Sequence, residues 1–148
     1  MITLKLFSLG TAYSLLFINS CSKQTANTEQ LLTGHTWKAE EIRVQQSDDK
    51  TQYYLRGGKH NTIDYDSDSL KFNSDYTGTY YYDGAMYSTQ WHFTNKEKTK
   101  MAIEIRYHLS IIVYLENIHI TSSSFKYSQY TKDLWPNYMA SCTRTPNQ

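Results

Sequence analysis

Apolar and polar residues alternate one by one between residues 101 and 111, and this pattern restricts the fold more than any other feature of the chain. The odd positions carry Met, Ile, Tyr or Leu, and the even positions carry Ala, Glu, Arg, His or Ser. Successive side chains of a β-strand point to opposite faces, whereas a helix would spread the same apolar residues around its circumference. The segment is therefore predicted to be one long strand with a buried face.

Shorter segments with the same alternation fill most of the remaining chain, and polar turns separate them at intervals of roughly 8–12 residues. Aromatic residues make up 15% of the chain, which suits pleated, half-buried surfaces. The pattern predicts an all-β fold, an antiparallel meander closed as a barrel or packed as a β-sandwich. The further strands are predicted at 37–44, 53–55, 70–72, 76–82, 87–93, 115–120, 125–131 and 138–144.

The first 20 residues have the features of a secretory signal. Lys5 precedes an apolar run over residues 6–18. A run of about 13 residues is too short for a bilayer core, which needs about 20. A positive charge followed by a short apolar segment is typical of a signal peptide, so residues 1–20 are predicted to be removed from the mature protein.

The apolar run ends in Ile18-Asn19-Ser20-Cys21, which resembles the lipobox of bacterial lipoproteins. The resemblance implies that Cys21 becomes the first residue and carries acyl chains such as palmitate, which anchor the protein stably. The alternative is an ordinary secretory signal with an incidental cysteine. Residues 21–30 are polar and predicted to be a tether, and residues 31–148 are predicted to be the folded domain. By resemblance to the lipoprotein sorting rule, Ser22 favours the outer membrane of the cell envelope.

Charge and cysteine content exclude several classes of protein. Removing residues 1–20 removes one charge, Lys5, and leaves 14 basic and 14 acidic side chains, so no nucleic-acid partner is expected. If Cys21 is acylated, Cys142 has no disulfide partner. Cys142 is then expected to be a small buried hydrophobe, with a reactive thiol as the alternative.

Three segments resemble the lipocalin-like domain of small lipoproteins of the Bacteroidetes type. Residues 31–37 contain a Gly and a Trp that open the first strand, residues 70–82 contain a Phe-x-x-Asp hairpin, and residues 91–93 read Trp-His-Phe. The resemblance covers residues 31–144. It implies an up-and-down barrel of about eight strands, a fold that often has an internal cavity, and it does not imply an enzyme.

Large apolar residues on the predicted inner face lead to a binding hypothesis. An eight-stranded barrel is just wide enough to be filled by side chains or to hold one small ligand. We expect a small apolar ligand, and a filled core is the alternative, with Trp37 able to plug one end of the barrel. The expected lining residues are Trp37, Phe72, Trp91, Phe93, Ile103 and Ile105.

Few residues form a pattern that would carry chemistry. Asp64, Asp66 and Asp68 resemble the start of a calcium loop, but the turn glycine is missing at Ser69, so a solvated turn is preferred. The five histidines lack the spacing of a metal site, and no nucleophile or phosphate-loop motif is present, so neither a metal, a cofactor nor enzyme activity is expected. The alternative to ligand binding is a solid barrel whose exposed tyrosines, among them some of residues 80–82, bind a protein as an assembly factor, inhibitor or immunity protein.

Overall fold

The computed structural model describes residues 27–45, 50–131 and 139–147, and these residues form one short helix, α1 (Thr28–Thr33), and nine strands. The predicted all-β class is confirmed. Each of the eight shorter predicted segments overlaps an observed strand. The strands are β1 Thr36–Gln45, β2 Thr51–Leu55, β3 Ser69–Phe72, β4 Thr77–Tyr82, β5 Ala85–Phe93, β6 Met101–Arg106, β7 Ser110–Ile120, β8 Phe125–Thr131 and β9 Met139–Pro146.

Antiparallel pairing closes the sheet into a barrel. Strands β3 to β9 pair in sequence order, and β9 pairs with β1, which also pairs with β3. Eight strands therefore form a closed cylinder, and β2 is an additional strand that pairs with the second half of β1. Closure gives each of those eight strands a partner strand on both sides, and it selects the barrel over the sandwich.

The long strand predicted over 101–111 is wrong, because the chain turns in its middle. β6 ends at Arg106 and β7 begins at Ser110, with Tyr107 to Leu109 exposed between them. Ile105 lies opposite Ile111 across the hairpin, so both residues face the lumen. The apolar and polar alternation therefore continues through the turn, and the turn lacks the Gly, Pro, Asn or Asp that usually marks one.

One end of the barrel is filled and capped by the helix. α1 begins with a capping box, in which the side chain of Asn27 accepts from the backbone of Glu29. Leu32 is fully buried, and its carbonyl oxygen accepts a 2.8 Å hydrogen bond from Trp37 Nε1. Trp37 also makes an edge-on aromatic contact with Phe125, and the centroids of the two rings are 5.6 Å apart. This end, called here the closed end, is filled by buried side chains of the described residues.

The helix begins at Thr28, inside the predicted tether 21–30, so the folded domain starts before residue 31. The predicted signal at residues 1–20 and the lipid attachment site Cys21 lie outside the described residues. In the part of the chain that the structure covers, no helix has the length and apolar character needed to cross a bilayer.

Candidate functional site

The other half of the lumen contains a cavity of about 440 Å³. It lies toward the end of the barrel at which β4, β6 and β8 finish, called here the mouth. Aliphatic side chains from β6 and β7 form one wall, and tyrosines from β4 and the segment before β3 form another. The lining residues are Ile42, Tyr65, Asp68, Leu70, Tyr80, Tyr82, Ile103, Ile105, Ile111, Val113, Leu115, Tyr127, Gln129, Thr131, Cys142 and Arg144.

A gap in the strand pairing brings Asp68 into the lumen. β1 pairs with β3 only from Thr36 to Lys38, and from Glu41 onward the same edge of β1 pairs with β2. Between these two pairings, the backbone amide of Ala39 donates to the carbonyl oxygen of Asp68 at 3.2 Å. The Asp68 side chain enters through this gap and is 1% exposed.

Asp68 belongs to a polar network at the floor of the cavity. Arg144 Nη1 donates to Asp68 Oδ1, and Arg144 Nε donates to the Tyr127 hydroxyl at 2.7 Å. The Tyr80 hydroxyl donates to Asp68 Oδ2 at 2.8 Å. Both charged residues are buried. A buried ion pair is stable only when further hydrogen bonds satisfy its remaining atoms, and the two tyrosines supply such bonds here.

The protonation of these groups follows from their burial and their partners. Burial is the largest single effect on the pKa of Arg144 and lowers it, but the interactions with Asp68 and Tyr127 together outweigh burial, so the pKa is raised overall and the guanidinium stays charged. Burial raises the pKa of Tyr127, and burial together with the Asp68 charge raises the pKa of Tyr80. Both phenols are therefore neutral at physiological pH.

Three further polar side chains line the cavity above this network. The Cys142 thiol is 3.9 Å from Gln129 Oε1, and burial raises the pKa of Cys142 to about 11. A thiol with that pKa is protonated at neutral pH and is a poor nucleophile. Thr131 Oγ1 is buried and has no hydrogen-bond partner within the described part of the chain.

Tyrosines narrow the mouth of the cavity. The rings of Tyr80 and Tyr82 stack with centroids 5.9 Å apart, and Tyr65 contacts Tyr82 at 5.6 Å. Tyr82 is partly exposed, whereas Tyr80 points inward to Asp68. Of the tyrosines 80–82, only Tyr81 therefore faces outward.

The six residues predicted to line a ligand site separate into two groups. Ile103 and Ile105 line the cavity. Trp37, Phe72 and Trp91 instead pack together with Phe125 in the filled half near the closed end. Phe93 is half-buried beside Trp91, at a centroid distance of 5.8 Å. The polar floor was not predicted from the sequence, although Tyr127 and Arg144 alternate in step with their buried neighbours on β8 and β9.

The run Asp64, Asp66 and Asp68 is not the wholly solvated turn that the sequence favoured, because Asp68 is buried. Asp64 Oδ1 accepts from the backbone of Asp66 at 2.9 Å, and Asp66 Oδ1 accepts from the Tyr54 hydroxyl at 2.8 Å. Asp68 pairs with Arg144 inside the barrel. No group of three or more His, Cys, Asp or Glu among the described residues is placed to hold a metal ion.

Comparison with known proteins finds no relative. A scan of protein-family models gives no match, and searches of curated proteins and of solved structures give none. The fold and the cavity themselves define the class, a closed antiparallel β-barrel that is filled at one end and hollow at the other.

Proposed function

We propose that this chain is a membrane-anchored bacterial lipoprotein whose lipocalin-like barrel binds a small apolar ligand and is not an enzyme. The observation that carries the proposal is the cavity of about 440 Å³ in the mouth half of the lumen. Ligand sites in proteins are concave, mostly apolar and typically about 300–1,000 Å³, with a few well-placed polar groups. The aliphatic walls and the polar floor agree with that description.

The unequal filling of the two halves supports binding. Large aromatic rings occupy the closed end and hold the strands in place, whereas smaller side chains such as Ile103 and Val113 face the cavity. An apolar ligand would cover this surface and gain about 25 cal/mol for each Å² of apolar surface removed from water. A site that is formed before the ligand arrives also avoids the entropy cost of ordering it on binding.

The ionisable groups of the cavity support a role without chemistry. Arg144 donates to one oxygen of the Asp68 carboxylate and Tyr80 donates to the other, so both oxygens are already bonded within the protein. Cys142 is protonated at neutral pH because burial raises its pKa to about 11. General acid and base catalysis requires groups whose pKa lies near the working pH.

The proposed location rests on Cys21. Changing Cys21 to Ala is expected to move the protein from the membrane fraction to the soluble periplasmic fraction. Mass spectrometry of the wild-type N-terminus should detect acyl chains on Cys21. A Cys21→Ala protein that stays in the membrane fraction would contradict a lipid anchor.

The ligand proposal is tested with protein that carries Cys21→Ser and therefore remains soluble. Fluorescence titration with the apolar probe N-phenyl-naphthylamine should show saturable binding. Ile105→Trp places a large side chain in the cavity and should abolish binding. Met86→Trp is the matched control, because Met86 is 74% exposed, and it should leave binding unchanged. Equal binding by both variants would place the probe outside the lumen and reject the proposal.

A second candidate function is protein binding at the mouth. Leu109 is 78% exposed and Tyr107 57% exposed on the β6–β7 turn, and Met86 is exposed near the β4–β5 turn. Exposed apolar residues that cluster at one end are typical of interaction sites. A photo-crosslinker at Leu109 should capture one partner in membranes if this candidate holds, while the same group at exposed Lys71, near the closed end, should not.

A further inference from the structure

We propose that the ligand is electrically neutral, with an apolar body and one uncharged hydrogen-bonding group such as a hydroxyl or an amide. This inference rests on the proposed function, because it specifies the ligand of the same cavity. Neutral lipids and alcohols would therefore bind more tightly than fatty acids or amines. The apolar bodies of all these molecules would suit the walls.

The charge of the lumen favours a neutral ligand. Among the described residues that line the cavity, Asp68 and Arg144 are the only Asp, Glu, Lys or Arg, and they are bonded to each other. Asp68 neutralises Arg144, so neither a carboxylate nor an ammonium group would find an unpaired opposite charge at the floor. An ionic group that enters without a partner loses its hydration and gains nothing equivalent.

The composition of the mouth also favours a neutral ligand. A second way for an ionic amphiphile to bind is with its head group at the mouth, where Tyr65, Tyr82 and Ile111 lie. None of these carries a charge at neutral pH. The nearby ions Glu104 and Arg106 alternate with the inward residues of β6, so they lie on the outer face, and they pair with each other at 3.8 Å. Among the described residues that line it, the mouth thus offers phenol groups and apolar surface, which suit an uncharged head group; the carboxylates of Asp64 and Asp83 act on Tyr82 but do not line the cavity.

The hydroxyl of Thr131 favours a ligand with one hydrogen-bonding group. Thr131 Oγ1 is buried, lines the cavity and has no hydrogen-bond partner among the residues described. A buried hydroxyl without a partner is costly, so a ligand group that bonds to it contributes to affinity. Thr131 lies opposite Val113 near the mouth, so the ligand's polar group would lie there. Its apolar body would extend inward along Ile103 and Leu115.

The test compares three ligands with the same ten-carbon chain, namely decanol, decanoate and decylammonium. Each displaces N-phenyl-naphthylamine from the Cys21→Ser protein at neutral pH, where both ions are charged. Decanol is expected to bind at least about tenfold more tightly than either ion, a ratio that a modest desolvation penalty produces. If either ion binds as tightly as decanol, the inference is wrong while the proposed function stands. If neither the probe nor any of the three binds, the proposed function itself fails.

Two variants locate the cause of the preference. Asp68→Asn leaves the Arg144 guanidinium without its counterion, so decanoate should gain at least about tenfold relative to decanol. Thr131→Val keeps the shape of the side chain and removes its hydroxyl, so decanol should lose about fivefold in affinity. Thr131→Val does not disturb the ion pair, so it provides a readout even if Asp68→Asn fails to fold. Unchanged decanol affinity in Thr131→Val would remove Thr131 from the site.

Discussion

Arg144 and Asp68 lie 76 residues apart in the chain and form a buried ion pair inside the barrel. Arg144 is on β9, the strand that closes the barrel against β1, and Asp68 precedes β3 on the other edge of β1. The pair therefore connects the elements on both sides of the first strand. The two side chains separate the filled closed end from the cavity and form the floor of the candidate binding site.

Replacing one partner of this ion pair is expected to lower the free energy of unfolding more than replacing both partners together. Arg144→Met leaves the carboxylate of Asp68 buried without a counterion and should lower the free energy of unfolding by about 3–5 kcal/mol. Asp68→Leu should have a similar effect. The double variant should lose much less than the sum, although Tyr80 and Tyr127 lose their partners, because an apolar pair replaces an ion pair with little net cost. Urea denaturation of the four proteins measures the coupling, and additive losses would contradict a buried pair.

The sequence could not predict this pair, because each of its two halves has an ordinary local interpretation. Asp68 ends a run of alternating aspartates that is typical of a solvated turn or a cation loop. Arg144 occupies an apolar face at the end of a strand, where a charged residue is expected to be exposed. The two meet only because β1 changes partner from β3 to β2 after Lys38, and no sequence pattern records that change.

The all-β class was predictable, because one-by-one alternation identifies strands and their buried faces, but alternation left both a barrel and a sandwich open. Among the predicted strands, the failure was the segment 101–111. There the turn at Tyr107 to Leu109 has a length that returns Ile111 to the same face as Ile105, so the pattern passes through it unchanged. Alternation also assigns a residue to the inside of a barrel without giving its position along the barrel axis. Trp37 and Ile103 both face inward, but one fills the closed end and the other lines the cavity.

Stability at alkaline pH should depend on Cys142. Burial raises its pKa from 9.0 to about 11, so the folded protein holds the proton more tightly than the unfolded chain. This stabilisation is complete below the unfolded pKa and is lost as the pH rises through the folded pKa, between about pH 9 and pH 11. The loss is roughly 2–3 kcal/mol.

The comparison that isolates this effect is between the Cys21→Ser protein and the same protein with Cys142→Ala. Urea denaturation from about pH 8 to about pH 11 should show a steeper loss of stability with the thiol present. Tyr80 and Tyr127 contribute alkaline losses of the same sign, but they are present in both proteins and largely cancel. If the stability of the two proteins falls equally with pH, the pKa of Cys142 does not change on folding.

Capping of the closed end by α1 should be important for stability. Leu32 is fully buried, and its backbone carbonyl accepts from Trp37 Nε1. Leu32→Ala removes apolar contact and leaves a cavity, which should lower the free energy of unfolding by about 2–5 kcal/mol. Leu31→Ala on the same helix is the control, because Leu31 is only half-buried and should cost clearly less. Thermal denaturation measures both, and equal losses would mean that α1 does not cap the barrel through Leu32.

Gly78 on β4 is predicted to tolerate no side chain. A Cβ at this position would lie 2.4 Å from the carbonyl oxygen of Lys71 and 2.6 Å from Thr89 Oγ1, on the two neighbouring strands. The strands would have to separate, so Gly78→Ala should lower the free energy of unfolding by about 1–3 kcal/mol. Ser88→Ala, exposed on β5, should change it by less than about 0.5 kcal/mol. Adding Thr89→Ala to Gly78→Ala removes one of the two close contacts and should restore part of the loss. A full loss in both backgrounds would assign the entire effect to the backbone of Lys71, and no loss at all would contradict the close approach of β3 to β4.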